Sequence, residues 1–452
     1  MLHRSAPPPA YAVTLRRIRC WLEVAIACAL VAAFFGTTGV ATGTAAEPES
    51  DEYSAPMLVA IEIEGNQHTS TALIEREIGL KIGEPFPEER IDPIWDHLED
   101  LGYFAFVDLE YDETAPGEVV LRVVVQEDKT LHFGPVIEYS DRQKYVLGGW
   151  LDDRNFRGEG EILAVRALAY RIQQLSVGWT RPWFLNVENL ELELAVTGEQ
   201  GGFVWRATDY RQLEAKLGSR YDFQSPFFAD AAARYRVFDQ RDAFSTAPPP
   251  RGPDTVSGDV NHPAQIRHAW LLGGGVGYDT RSNPYYPIRG LYLRLGGVWN
   301  AQNDVASFAE WTGDARVFLN FYRQTVLALR AYGRKLTAAA PIEDRLYWGG
   351  AESVRGYNRD TIEGETGYLL SVEYRVPLFL MPISPRGELV GFGLHAFADA
   401  GDAWYDGAKA GEAARSWGVG AHINLTSYQF RFEAANTAEG DWRFQFMDHF
   451  NF

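Results

Sequence analysis

Between His132 and the C-terminus the chain alternates apolar and polar residues, and no apolar run there is long enough to cross a membrane as a helix. Leu190, Leu192, Leu194 and Val196 alternate with Glu191, Glu193, Ala195 and Thr197. Leu291, Leu293 and Leu295 alternate with Tyr292, Arg294 and Gly296, and Leu327, Leu329 and Ala331 with Ala328, Arg330 and Tyr332. Tyr428, Phe430, Phe432 and Ala434 alternate with Gln429, Arg431 and Glu433. A period of two gives each strand one apolar and one polar face. A soluble sandwich would show the same local pattern. The scale is different here: alternation runs over residues 129–452, aromatics crowd the strand ends, and no helical segment is available to cover a sheet. An apolar exterior around a polar lumen is the pattern of a transmembrane β-barrel, closed because lipid cannot satisfy an open edge. The spacing predicts about 16 antiparallel strands. Both barrel ends then lie on the same side of the membrane. The connections after odd-numbered strands, including the Pro-rich Asp239–Gln265 and the segment around Val354–Tyr357, lie on the other.

Composition agrees. Glycine (43 residues) and aromatics (13%) suit turns and aromatic girdles, and a net charge of −19 argues against nucleic acid as a partner. The cysteines are Cys20 and Cys28. Residues 1–46 have the form of a secretory signal peptide: Arg16, Arg17 and Arg19, a 12-residue apolar core Val24–Phe35, then small residues to Ala45-Ala46. A membrane anchor would need roughly 20 apolar residues. Loss of this segment removes four arginines and one glutamate, leaving an exported chain more acidic still. Residues 47–56 are an acidic linker.

Residues 57–128 predict a small α+β domain. Leu58–Glu64 alternates and ends in Gly65-Asn66, as a strand and turn do. Thr69–Leu80 and Pro87–Leu101 carry apolar residues at helical spacing (Leu73, Ile74 and Ile78; Ile91, Ile94, Trp95 and Leu98). Phe104–Asp112 and Glu118–Glu127 are strands joined by Ala115-Pro116-Gly117. Such a domain leaves a sheet edge that can accept an extended peptide through main-chain hydrogen bonds; it could also be a passive spacer. The stretch Leu58–Asp128 resembles a POTRA domain in its opening IEIEGN, in IGLKIGEPF, in LEDLGYFAFVDLEY and in the closing VVLRVVVQED. One copy is present.

One loop stands out in the barrel region. Gly349-Gly350 and Val354-Arg355-Gly356-Tyr357 lie between two β-patterned segments, and the glycines let the backbone turn tightly against other structure. Alone, the tetrapeptide fits an ordinary hairpin with a surface arginine. In a barrel it predicts a loop folded into the lumen and anchored by Arg355.

SVRGY (Ser353–Tyr357) has company: NFRGEG (Asn155–Gly160), TRPWF (Thr180–Phe184), YDTRSNPYYPIRG (Tyr278–Gly290) and FADAGDAW (Phe397–Trp404). With the POTRA-like domain, in this order, they resemble the BamA/TamA-type superfamily of bacterial surface antigens. Tyr357 stands where phenylalanine is commoner. The chain's ending, with Phe450 and Phe452 on one face with Phe444 and Phe446, resembles the C-terminal signal by which such barrels are recognised for insertion. The superfamily's inward loop carries its arginine at the position of Arg355, and its acidic partners match Glu373 and Asp399. The resemblance implies a bacterial outer-membrane barrel over residues 129–452 with its POTRA domain in the periplasm. It implies partners that are unfolded or partly folded β-barrel or secreted proteins, outer-membrane lipids and accessory lipoproteins. The implied role is assembly and insertion, or translocation, of those clients. Two alternatives stay open: a dedicated secretion pore for one partner protein, and a passive solute channel. No G-x-S-x-G run occurs, and the nine histidines form no H-E-x-x-H or Cys/His metal pattern. No catalytic residue, metal or cofactor is therefore expected.

Overall fold

The computed structural model describes residues 56–447 apart from 141–143, 171, 204–207, 224–225, 241–264, 284–285, 304, 359, 384–388, 406–410 and 427. The expected signal peptide, nearly all of the linker, and Phe450 and Phe452 lie outside the described residues.

The N-terminal domain follows its sequence pattern closely. Strand β1 (Met57–Glu64) is followed by helices α1 (Thr71–Ile78) and α2 (Ile91–Asp100), then β2 (Phe104–Ala115) and β3 (Glu118–Glu127). The sheet order is β1-β3-β2, with β1 parallel and β2 antiparallel to β3. The alternating valines and leucine of β3 (Val119, Leu121, Val123 and Val125) turn inward. There they meet Leu73, Ile74 and Ile78 of α1 and Ile94 and Leu98 of α2. Helix α1 is shorter than its apolar spacing suggests. Ser70 caps its N-terminus by accepting a bond from the Leu73 amide at 3.2 Å, and Gly79 ends it with φ +64°. On α2, Trp95 donates its indole N–H to the Val107 carbonyl at 2.8 Å, tying the helix to β2.

Sixteen antiparallel strands form the barrel. They are β4 (Leu131–Ser140), β5 (Lys144–Phe156), β6 (Glu161–Tyr170), β7 (Gln173–Arg181), β8 (Leu190–Phe203), β9 (Thr208–Asp222), β10 (Phe227–Gln240), β11 (Gln265–Asp279), β12 (Gly290–Gln302), β13 (Phe308–Asn320) and β14 (Val326–Leu336). After a long loop come β17 (Thr366–Pro382), β18 (Leu389–Trp404), β19 (Ala414–Thr426), β20 (Tyr428–Thr437) and β21 (Trp442–Met447). Neighbours in sequence pair in space, and β21 closes on β4. Leucine, valine and tryptophan at every second position face outward, with Leu295 68%, Val276 61% and Trp311 60% exposed. Their strand neighbours fill the lumen with charge. Acid and arginine often stand two residues apart on one strand: Asp152 with Arg154, Asp222 with Arg220, Asp314 with Arg316, Glu373 with Arg375, and Glu433 with Arg431, each at 2.6–2.8 Å.

The barrel and the N-terminal domain meet at the NFRGEG turn. The Asn155 side-chain amide donates to the Thr69 hydroxyl at 2.9 Å, and the Ser70 amide donates to the Gly158 carbonyl at 2.9 Å. Gly158 has φ +75°, and a Cβ there would lie 2.0 Å from the His68 carbonyl oxygen. The close approach therefore requires glycine. Glu127 accepts the amides of Thr69 (2.6 Å) and His68 (3.0 Å) from the other side. Burial works against its charge, but these bonds outweigh it and hold the carboxyl below its ordinary range.

Candidate functional site: an ion cluster in the lumen

Residues 337–365 fold inward and carry their own hairpin, β15 (Leu346–Trp348) paired with β16 (Ile362–Gly364). Three glycines make its turns. Gly349, Gly350 and Gly356 have φ of +105°, +94° and +87°. At Gly349 a Cβ would stand 2.1 Å from the Asn358 carbonyl oxygen, so the turn excludes any side chain. Ser353 reinforces it, its hydroxyl accepting from the Gly349 amide at 2.8 Å. Val354 is fully buried among Leu346, Trp348, Tyr357, Ile362, Leu369 and Ala403. The Tyr357 hydroxyl lies 3.0 Å from both the Arg415 carbonyl and the Glu439 carboxylate, fixing the loop tip to the outer ends of β19 and β20.

That packing delivers Arg355 into the lumen wall, where none of its surface is exposed. Its Nε and Nη2 donate to the two oxygens of Asp399 at 2.7 and 2.9 Å, a bidentate contact. Its backbone amide donates to Asp399 Oδ2 at 3.2 Å. Nη1 donates to Glu373 Oε2 at 2.6 Å and to Glu433 Oε1 at 3.2 Å. The guanidinium also sits 3.6 Å from the Phe397 ring centroid. The structure thus brings together Val354, Arg355, Gly356, Tyr357, Glu373 and Asp399. Glu373 comes from β17 and Asp399 from β18, each on the face opposite exposed Leu370, Val372 and Tyr374 or Phe392 and Leu394.

Sequence reasoning missed the third wall. From β20, Arg431 Nη2 reaches both Glu373 Oε2 and Glu433 Oε1 at 2.6 Å, so Glu433 joins Glu373 and Asp399 around the loop arginine. Arg375 donates through Nε to Glu373 Oε1 at 2.7 Å. Three guanidiniums therefore meet three carboxylates out of water. Beneath them His395 Nε2 lies 3.0 Å from Glu433 Oε1, and His395 Nδ1 is 3.2 Å from His422 Nδ1. Tyr286, from the connection between β11 and β12, approaches His422 at 3.4 Å. Parity had already assigned Arg431 and Glu433 to a charged face. Only the strand register shows which charges they meet.

Glu373, His395 and Glu433 offer ligand atoms within 4.8 Å of one another, as a metal site would. Glu373 Oε2 and Glu433 Oε1 each accept from both Arg355 and Arg431, and these guanidiniums would repel a cation. The donor set fits ion pairing. Burying these charges carries a desolvation cost that only full pairing offsets. The arrangement fixes the loop in one geometry, because an Arg fork engages carboxylates in a defined plane.

Residues 155–447 match the Omp85 superfamily domain, and residues 57–128 match the POTRA family, described as a surface antigen variable number repeat. No curated protein matches the chain. Among solved structures, BamA from Haemophilus ducreyi lacking POTRA domains 1–3 aligns with a TM-score of 0.67 at 14% identity, over 86% of this chain and 84% of that one. CdiB from Acinetobacter baumannii aligns with a TM-score of 0.60 at 16% identity, over 87% and 74%. CdiB from Escherichia coli gives 0.53 at 12%, over 92% and 93%. At these identities the likeness is one of fold.

Proposed function

Since the chain belongs to the Omp85 superfamily, we propose that it sits in the bacterial outer membrane with its POTRA domain in the periplasm and there assembles or translocates other proteins. Insertion of client barrels is the reading we favour. One observation carries it: the lumen of a wide barrel is crossed by a loop that three strands hold through Arg355, while a POTRA sheet edge is free to receive an extended chain. Strand β2 lies at the outside of the β1-β3-β2 sheet and carries exposed Phe106 and Tyr111. Main-chain pairing on such an edge accepts many sequences. A lumen filled by an anchored loop is poorly suited to steady solute flow. The junction of β21 with β4 supports the same reading. There the first and last strands of the barrel meet, with Phe446 opposite Tyr139. A seam between the first and last strands, once parted, offers strand edges to a client in the plane of the membrane. The reading needs no catalytic step and no cofactor, since the folding of the client supplies the free energy.

Quantitative proteomics of the outer membrane after depletion of the protein tests this. Loss of several other β-barrels is the expected result. Loss of one secreted or surface protein would make it a dedicated exporter. Altered solute uptake with every protein level unchanged would replace the assembly reading by that of a channel.

A further inference from the structure

The inward loop is held at both ends, and Arg355 is only one of them. At the other end a short 3₁₀ turn, Ile342–Asp344, presents two carboxylates to the far wall. Glu343 takes Nε and Nη2 of Arg267 at 2.6 and 2.7 Å, with both side chains 2% exposed. Asp344 has both oxygens 2.7 Å from Nη2 of Arg236 and accepts the Gln302 side-chain amide at 2.5 Å. These partners stand on β11, β10 and β12. The segment between the two ends is stiff. It contains the β15–β16 hairpin, the Arg345–Glu363 pair at 2.7 Å and a bond from the Tyr347 hydroxyl to the Ile342 carbonyl at 2.7 Å.

The order of strands gives this arrangement a mechanical meaning. In the closed barrel β11 is the eighth strand from β4, so the Arg236–Arg267 wall lies opposite the β21–β4 seam. The Arg355 wall, β17, β18 and β20, runs up to the strand beside that seam. We propose that the loop is a tie across the barrel, in which Arg236 and Arg267 are positioning residues acting in series with Arg355 to restrain the seam. Two anchors in series behave unlike two independent contacts. Releasing either end slackens the whole tie, and releasing the second then changes nothing, whereas independent sites add. The proposal concerns the barrel alone and holds whichever client it handles, so its failure and that of the assembly reading are separable.

The test is current recording from the purified full chain in planar lipid bilayers. The variants are Arg355→Ala, Arg236→Ala with Arg267→Ala, and all three together. Each is also made with Tyr139→Cys and Phe446→Cys to bridge the seam by a disulfide. Glu343→Gln with Asp344→Asn serves as a second release of the far anchor that keeps side-chain shape, should the alanine pair fail to fold. We expect each release to raise the frequency of large openings severalfold, the triple variant to match the stronger single release, and the disulfide to return all of them to the wild-type level until reductant is added. The proposal is overturned if far-anchor variants record like wild type, if the two releases multiply in the triple variant, or if the openings persist with the seam bridged.

Discussion

The two halves of this chain bury opposite kinds of matter. The POTRA core consists of thirteen apolar side chains drawn from β1, the helices, β2, β3 and the segment before α2. The fully buried large side chains of the lumen include Arg355, Arg375 and Arg431. A small domain in water gains its stability by removing carbon from solvent. A barrel in lipid has much of its carbon outside already, so its interior is organised largely by polar contacts, beside apolar clusters such as the one that packs Val354. Carbon packing tolerates a near fit, and an ion cluster does not.

Exchanging one group in each half should damage that half alone. The largest effect belongs to Arg355→Ala, which leaves Asp399 without its bidentate partner. Breaking a buried pair costs about 3–5 kcal/mol, and the heat-resistant folded fraction on semi-native gels should fall while the POTRA domain stays protease-resistant. An unchanged folded fraction would show that the loop is not anchored by this residue. Next comes Leu98→Ala in α2, a fully buried leucine. It should cost about 2–5 kcal/mol and expose the POTRA domain to limited proteolysis with the barrel's heat resistance intact. Equal loss in both halves would mean that the two are one cooperative unit.

The smallest effect sharpens the contrast, because it concerns a charge pair on the watery side. His97 lies 3.0 Å from Glu77, and this bond, against partial burial, raises the imidazole above its ordinary value. Burial pushes Glu77 up, but its bonds from His97 and Arg76 outweigh that and hold it below the usual carboxylate range. A raised histidine contributes fully below its unfolded value near 6.5, and the contribution is lost as pH rises through the folded value. Half-exposed, His97 should be worth at most about 0.5 kcal/mol. The urea midpoint of the POTRA domain should therefore drift downward above about pH 6.5, and His97→Gln should flatten the drift. A steep drift that survives the substitution would assign it to another group.

Much of this was legible in the chain. Period-two alternation made the barrel and its strand number legible, since lipid outside and polar groups inside impose that pattern on each strand. The POTRA helices were visible but too long, because Ser70 and Gly79 end α1 inside its apolar run. Arg355 and Asp399 could be named because they sit in short motifs whose order resembles a known superfamily, and Glu373 because it matches that superfamily's acidic partner on the strand after the loop. Glu433 could not, since it lies 78 residues from Arg355 and meets it only through the register of β20. The far anchor was hidden for the same reason: 108 residues separate Arg236 from Asp344, and neither lies in a motif.

The paired charges two residues apart on β5, β9, β13, β17 and β20 have a consequence for how such a wall can be made. Each of these strands carries its own counter-ion on the same face, so the cancellation is local to a single extended segment. It is present in the unpaired chain as fully as in the finished cylinder. A newly arriving strand adds no net charge from these pairs to the growing lumen, in whatever order the strands arrive.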